Sequence, residues 1–302
     1  MDWTDEISAA TARIAGHVRR TPVADVVLDG QSVALKLEQM QHTGSFKARG
    51  AFNTLLSGPV PAAGLVAASG GNHGAAVAYA ARRLGHKARI YVPEMAGAAK
   101  ITLIEQLGGD LVVVPGAYAN ALDAAQTYEA ETGAAQIHAY DAPMTVAGQG
   151  TCMAEWEAQG LEADTVLIAV GGGGLIGGAL AWLSGRRKVV GVEPETSCAL
   201  HAALAAGQPV DVDVSGVAAN ALGARRIGEI CFGLADGIAA VTVPDAAITA
   251  AQRLLWREMR QLVEPAGATA LAALMSGAYV PEPGERVAVL ICGGNVAPDP
   301  LA

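Results

Sequence analysis

Cysteine is scarce in this chain: Cys152, Cys198, Cys231 and Cys292 stand singly, with no C-x-x-C pair and no histidine next to them. That spacing excludes a disulfide framework and an ordinary zinc site, and predicts reduced, mostly buried thiols. Charge is sparse as well. Only 16% of residues are charged, and 20 Lys and Arg against 29 Asp and Glu form no basic run, so nothing marks a nucleic-acid-binding surface. Long apolar runs are also missing. Gly, Asp, Lys or Arg interrupts each one before the roughly 18 residues a spanning helix needs, which excludes a membrane segment. The opening MDWTDEISAATARIAGHVRR carries acids early and has no basic start followed by an apolar core. It does not read as a secretory signal, and a cytoplasmic protein is expected. With nucleic acid and membrane set aside, a small molecule is the expected partner.

What is present is apolar residues and glycine. Hydrophobic residues make up 52% of the 302, enough for the buried cores of two lobes. The 37 glycines include runs that ordinary turns do not need. Period and punctuation give a strand at VALKLEQ (33–39), a helix from Ser45, a strand at GLVAAS (64–69) and a helix over 72–85 that stops at Gly85. The alternation continues through strands at 88–94, 110–116 and 135–141, with helices at 98–109, 117–133 and 144–160. TVLIAVGGGGLIGGALAWLSG (165–185) then reads as strand, glycine loop and helix, and KVVGVEPE (188–195) and RVAVLICGGN (286–295) as further buried strands. Strand and helix alternating over the whole length predict an α/β protein with parallel sheet. The units are too many for one compact sheet, so two lobes are expected, with a ligand between them near the strands' carboxyl ends.

The strongest local signal is VGGGGLIGG, Val170 to Gly178. Successive glycines between a buried strand and a helix leave backbone N–H groups bare, with the helix dipole behind them, and so form an anion cradle. Gly-Lys-[Ser/Thr] is absent, which excludes a nucleotide-triphosphate loop. Gly172, Gly174 and Gly177 do satisfy G-x-G-x-x-G, and Glu193 stands where a ribose-binding acid belongs, so a nicotinamide-dependent oxidoreductase is one alternative. It leaves two features unexplained. SGGNHG (69–74) repeats the strand, loop and helix pattern but adds Ser69, Asn72 and His73, polar groups able to grip a carboxylate at a helix start. HTGSFKARGAFNTLL (42–56) places Lys47 at the start of a helix among small and apolar residues.

In order along nearly the whole chain, TGSFKARGA, SGGNHG, VAGQGT, VGGGGLIGG, GVEPE, EPAGATALAAL and ICGGN resemble the fold-type II pyridoxal-phosphate enzymes. Within these they resemble the serine/threonine dehydratase and serine racemase branch. The resemblance implies a two-lobed α/β parallel-sheet fold of the tryptophan synthase β-like kind. Residues 1–57 and 140–302 would form the large cofactor-binding domain, and 58–139 a small mobile domain carrying the substrate loop. Lys47 matches the lysine that carries pyridoxal 5'-phosphate as a Schiff base, and a partly desolvated setting suits an amine that must act as nucleophile and base. By the same carry-over, Gly171, Gly172, Gly173, Gly174 and Leu175 hold the cofactor phosphate, Phe46 packs near the ring, and Asn72 bonds the ring oxygen. Ser69 and Asn72, with the N–H groups of Gly71 and His73, bind the substrate carboxylate. Cys292 faces the pyridine nitrogen; a neutral partner leaves that nitrogen unprotonated, which suits prompt loss of a β-leaving group.

Two positions depart from the racemases of this branch. Gly70 stands where they carry a second serine as acid/base on the face opposite the lysine, so only one base remains and a lyase is expected. Glu193 matches the first of their metal ligands, but the later one is Ala199, so no metal is expected. The reading is therefore an ammonia-lyase that converts L-serine, L-threonine or a close β-hydroxy amino acid to the 2-oxo acid and ammonia. Beside it stand a serine racemase and a catalytically inactive amino-acid- or phosphate-binding module. The family is commonly dimeric, so a homodimer is expected. The chain ends soon after ICGGN, which predicts no C-terminal regulatory domain and no isoleucine feedback.

Overall fold

Apolar runs such as TVLIA and VAVLI are buried along their full length, as befits central strands covered on both faces. The computed structural model describes residues 1–28, 30–116 and 118–296. Its strands are β1 (Val23–Leu28), β2 (Gln31–Leu37), β3 (Leu65–Ala68), β4 (Ala88–Pro93), β5 (Asp110–Val114), β6 (Ala135–Gln136), β7 (Thr165–Ala169), β8 (Lys188–Pro194), β9 (Ala239–Val243) and β10 (Val287–Ile291). The helices are α1 (Trp3–Arg13), α2 (Lys47–Leu56), α3 (Asn72–Arg83), α4 (Ala98–Gln106), α5 (Tyr118–Thr132), α6 (Pro143–Ala158), α7 (Gly174–Leu183), α8 (Ala199–Ala206), α9 (Ala219–Leu222), α10 (Glu229–Leu234), α11 (Asp245–Met259) and α12 (Pro265–Ser276).

Six strands form one sheet in the order β1-β2-β10-β7-β8-β9, and four form a second in the order β5-β4-β3-β6. Every strand of the smaller sheet lies between Leu65 and Gln136. All pairs are parallel except β1 with β2. The link from Leu28 to Gln31 is too short for a crossover, so β1 can only return antiparallel. Residues 297–302 of the expected large domain lie outside the described residues. Among the described residues no helix is long and apolar enough to cross a membrane.

The carboxyl ends of three strands converge. β7 runs into the glycine loop, β10 into Cys292, and β3 into the Ser69 loop and then α3. The helix expected from Ser45 begins at Lys47 instead, because Ser45 bridges to Gly293 and the Phe46 N–H donates to the Cys292 carbonyl at 3.2 Å. Lys47 is thereby tied to the end of β10. The stretch read as a strand over 135–141 pairs only at Ala135–Gln136. His138 Nδ1 accepts the N–H groups of Tyr140 and Asp141 at 3.3 and 2.8 Å, a local turn that competes with the ladder. That turn carries Tyr140 to the glycine loop.

Candidate active site

Around these converging ends lies a cavity. Its walls bring together Phe46, Lys47, Asn72, Gly171 to Gly174, Leu175 and Cys292, positions spread over most of the chain. The Lys47 amine donates to the Ala139 carbonyl at 2.7 Å and stands 5.1 Å from the Phe46 ring centroid. Burial lowers its pKa from 10.5 to about 8, against a weaker opposing pull from Cys292. A lysine in that range supplies a substantial neutral, nucleophilic fraction near neutral pH. The Cys292 thiol is buried and donates to the Ala266 carbonyl at 3.4 Å. Burial, with Glu264 adding to it, pushes its pKa far up, so it stays a neutral thiol.

The glycine loop is shaped by its neighbours. A Cβ on Gly172 would fall 2.4 Å from the Tyr140 ring, one on Gly174 2.9 Å from Tyr140 Cα, and one on Gly171 3.0 Å from Leu222 Cα. Gly173 has φ near +92°, and its Cβ would lie 2.5 Å from the sulfur of the buried Cys231. Among the described residues, the N–H groups of Gly171, Gly172 and Gly173 donate no hydrogen bond. Bare donors at the start of a ten-residue helix fit a phosphate without needing Lys or Arg. The residues present therefore suit pyridoxal phosphate: a reactive amine, a phenyl and a neutral thiol in the cavity wall, and a row of bare backbone donors.

Ser69 Oγ accepts the Gly71 N–H at 3.2 Å, and α3 starts at Asn72 without a side-chain cap, which leaves its first N–H groups for an anion. His73 is buried with Nε2 2.8 Å from the Ile137 carbonyl. Burial, with Lys47 adding to it, lowers its pKa to about 3, so it is neutral. Asn72 is more committed than the sequence shows. Its Nδ2 donates to Glu264 at 2.5 Å and its Oδ1 accepts from Asn295 at 2.8 Å. One side-chain N–H remains, enough for one of its two expected ligands.

Gly70 sits against Ala96 and Val92: a Cβ there would lie 2.4 Å from Ala96 Cβ and 3.0 Å from Val92 Cγ1. The space for a second acid/base side chain is filled. Glu193 is wholly buried and turned onto α8, accepting the Leu200 and His201 N–H groups at 2.8 and 2.7 Å. Burial raises its pKa to about 7 against those bonds. So used, it cannot bind a ribose, which counts against the nicotinamide alternative. Among the described residues no group of three His, Cys, Asp or Glu is arranged to hold a metal ion.

Reading by residue missed Glu264, Tyr140 and Asn295. Glu264 lines the cavity almost fully buried, and burial raises its pKa to about 7 against Asn72 and Lys100. Its signal was a lone acid opening EPAGATALAAL in a chain sparing with charge. Asn295 ends the ICGGN stretch, whereas Tyr140 was hidden in a segment read as strand.

A profile described as pyridoxal-phosphate dependent enzyme matches residues 14–293. A phenylserine dehydratase of Ralstonia pickettii is 37% identical over 96% of this chain and 92% of its own length. Among solved structures, maize serine racemase superposes with a TM-score of 0.93 at 30% identity, over 99% of this chain and 95% of that one. The T.th. threonine deaminase does so with a TM-score of 0.90 at 36% identity, over 98% and 99%.

Proposed function

Since the chain belongs to the pyridoxal-phosphate dependent enzyme family, in its serine/threonine dehydratase branch, we propose that it is an ammonia-lyase. It converts L-serine, L-threonine or a close β-hydroxy amino acid to the 2-oxo acid and ammonia. The observation that carries this is the Lys47 amine, with its pKa lowered to about 8, sharing one cavity with the glycine cradle and the neutral Cys292 thiol. Lys47 would hold the cofactor covalently, Gly171 to Leu175 its phosphate, Phe46 and Cys292 its ring and ring nitrogen, and the free N–H of Asn72 its ring oxygen. The cofactor supplies an electron sink for negative charge at the substrate Cα.

The chain's own groups do the rest. Ser69 and the N–H groups at the start of α3 bind the substrate carboxylate and orient the Cα–H bond. With the cofactor bound, the free Lys47 amine would take the Cα proton; the β-hydroxyl would leave as water, and hydrolysis of the released enamine by a second water would give the oxo acid and ammonia. Residues 58–139 act as the small lobe that closes over the substrate and excludes water. The packing of Gly70 against Ala96 favours this over racemisation, which needs a proton donor on the second face. Action in the cytoplasm as a homodimer belongs to the same reading.

The purified protein is expected to be yellow with bound cofactor and to be labelled at Lys47 by borohydride. It releases oxo acid from at least one of L-serine, L-threonine, 3-hydroxyaspartate and 3-phenylserine, the last included because of the Ralstonia relative. Lys47→Ala lowers that release by at least about a hundredfold. Uptake of cofactor with no oxo acid from any of the four refutes the lyase, and D-serine accumulating from L-serine assigns a racemase instead.

A further inference from the structure

Lys100 belongs to none of the roles above, yet it is one of the most unfavourably placed charges in the molecule. It lies in the first turn of α4 with 7% of its surface exposed. Among the described residues its ammonium makes one hydrogen bond, to the Asn220 carbonyl at 3.4 Å, and no ion pair within 4.0 Å. A buried ammonium with one long bond to a neutral group is costly unless an anion reaches it. Glu264 is the acid that acts on it from a distance, and its carboxyl is already engaged by Asn72.

The place of this ammonium identifies the anion. Nζ lies 3.8 Å from where a Cβ on Gly71 would stand, and the Asn220 oxygen 3.4 Å from that same point. Lys100 thus stands between the Ser69 loop and α9, at Gly71 and Asn220, whose next residues in the chain, Asn72 and Ala221, line the cavity. Among the described residues no other free cation stands there: Lys47 would be committed to the cofactor, His73 is neutral, and no arginine lines the cavity. We propose that Lys100 is a substrate-binding residue whose ammonium pairs with a carboxylate of the bound amino acid, in the first instance the α-carboxylate held by the Ser69 loop. Burial lowers its pKa, with Glu264 opposing; an arriving carboxylate restores the charged form.

This assignment rests on the lyase reading, and the test separates the two. Wild-type, Lys100→Met and Lys100→Arg holoenzymes are titrated with L-serine, L-threo-3-hydroxyaspartate and L-serinamide, following the cofactor absorption. Lys100→Met keeps that absorption, but its half-saturating L-serine concentration and its KM rise about ten- to a hundredfold. The kcat changes little, the serinamide value stays put, and Lys100→Arg recovers much of the loss. A rise confined to hydroxyaspartate also supports the pairing and moves it to the side-chain carboxylate. Unchanged half-saturation for both amino acids overturns the assignment, as does loss of cofactor from Lys100→Met, which makes the residue structural. A wild-type protein that takes up no cofactor overturns the lyase reading and this assignment with it.

Discussion

Lys47 shows how burial prepares a single group for chemistry. Its amine is lowered from 10.5 to about 8 chiefly by desolvation, so the fold disfavours the ammonium and favours the nucleophile. The same preference has a thermodynamic signature. Between about pH 8 and 10.5 the unfolded chain binds more protons at this site than the folded one, so cofactor-free protein gains stability as pH rises through that window. Lys47→Met removes this contribution. Urea unfolding of the two cofactor-free proteins at several pH values checks it: the wild type is expected to gain on the variant from pH 8 upward, and parallel curves would remove the case for a desolvated amine. Cys292 is the complement, a thiol that burial holds neutral beside a cavity where an acid would change the chemistry.

At the scale of an element, the loop from β7 to α7 joins a buried strand to a helix N-terminus through backbone alone. Gly173 combines a left-handed φ with a neighbour, Cys231, that occupies the place of any side chain, so alanine there meets both a strained backbone and an overpacked wall. Gly173→Ala is expected to destabilise the cofactor-free protein by about 1–3 kcal/mol and to weaken cofactor retention. Chemical denaturation and dialysis followed by absorption measure the two effects. The other glycine loop, before α3, differs because Ser69 supplies a hydroxyl and Gly70 is closed off by Ala96. Two similar strand-to-helix turns therefore offer different donors, backbone N–H groups alone in one and a hydroxyl beside them in the other.

Across the whole molecule, a buried charge cluster fixes α2 against β2 and α6. Arg49 donates to both oxygens of Glu38, at 2.8 and 2.7 Å, and pairs with Glu155 at 3.0 Å, while Lys36 donates to Glu155 at 2.6 Å. Burial works against the charges of Arg49 and Glu38. The pairing more than offsets it, holding Arg49 above and Glu38 below their ordinary pKa values. Because Arg49 follows Lys47 by two residues, the cluster also sets where the reactive amine stands. Arg49→Met leaves Glu38 buried without its main partner and is expected to cost about 3–5 kcal/mol, read from urea unfolding. Adding Glu38→Gln recovers part of the loss if the unpaired charge is its cause.

Sequence alone determined the alternation of strand and helix and the glycine cradle, because these depend on local periodicity and on residue types whose chemistry is unusual wherever they occur; it singled out Lys47 only through the resemblance of TGSFKARGA to the family's motif. It did not determine the turn at His138 that brings Tyr140 onto the glycine loop, nor the commitment of Asn72 to Glu264 and Asn295. The two Asn72 bonds join groups 192 and 223 residues apart. Tertiary structure alone decided that Gly70 has no room for a side chain, that Glu193 serves α8, and that Lys100 lies beside the Ser69 loop. Each is a question of which atoms fill the space around a group, and distant segments fill that space only once the sheets have formed.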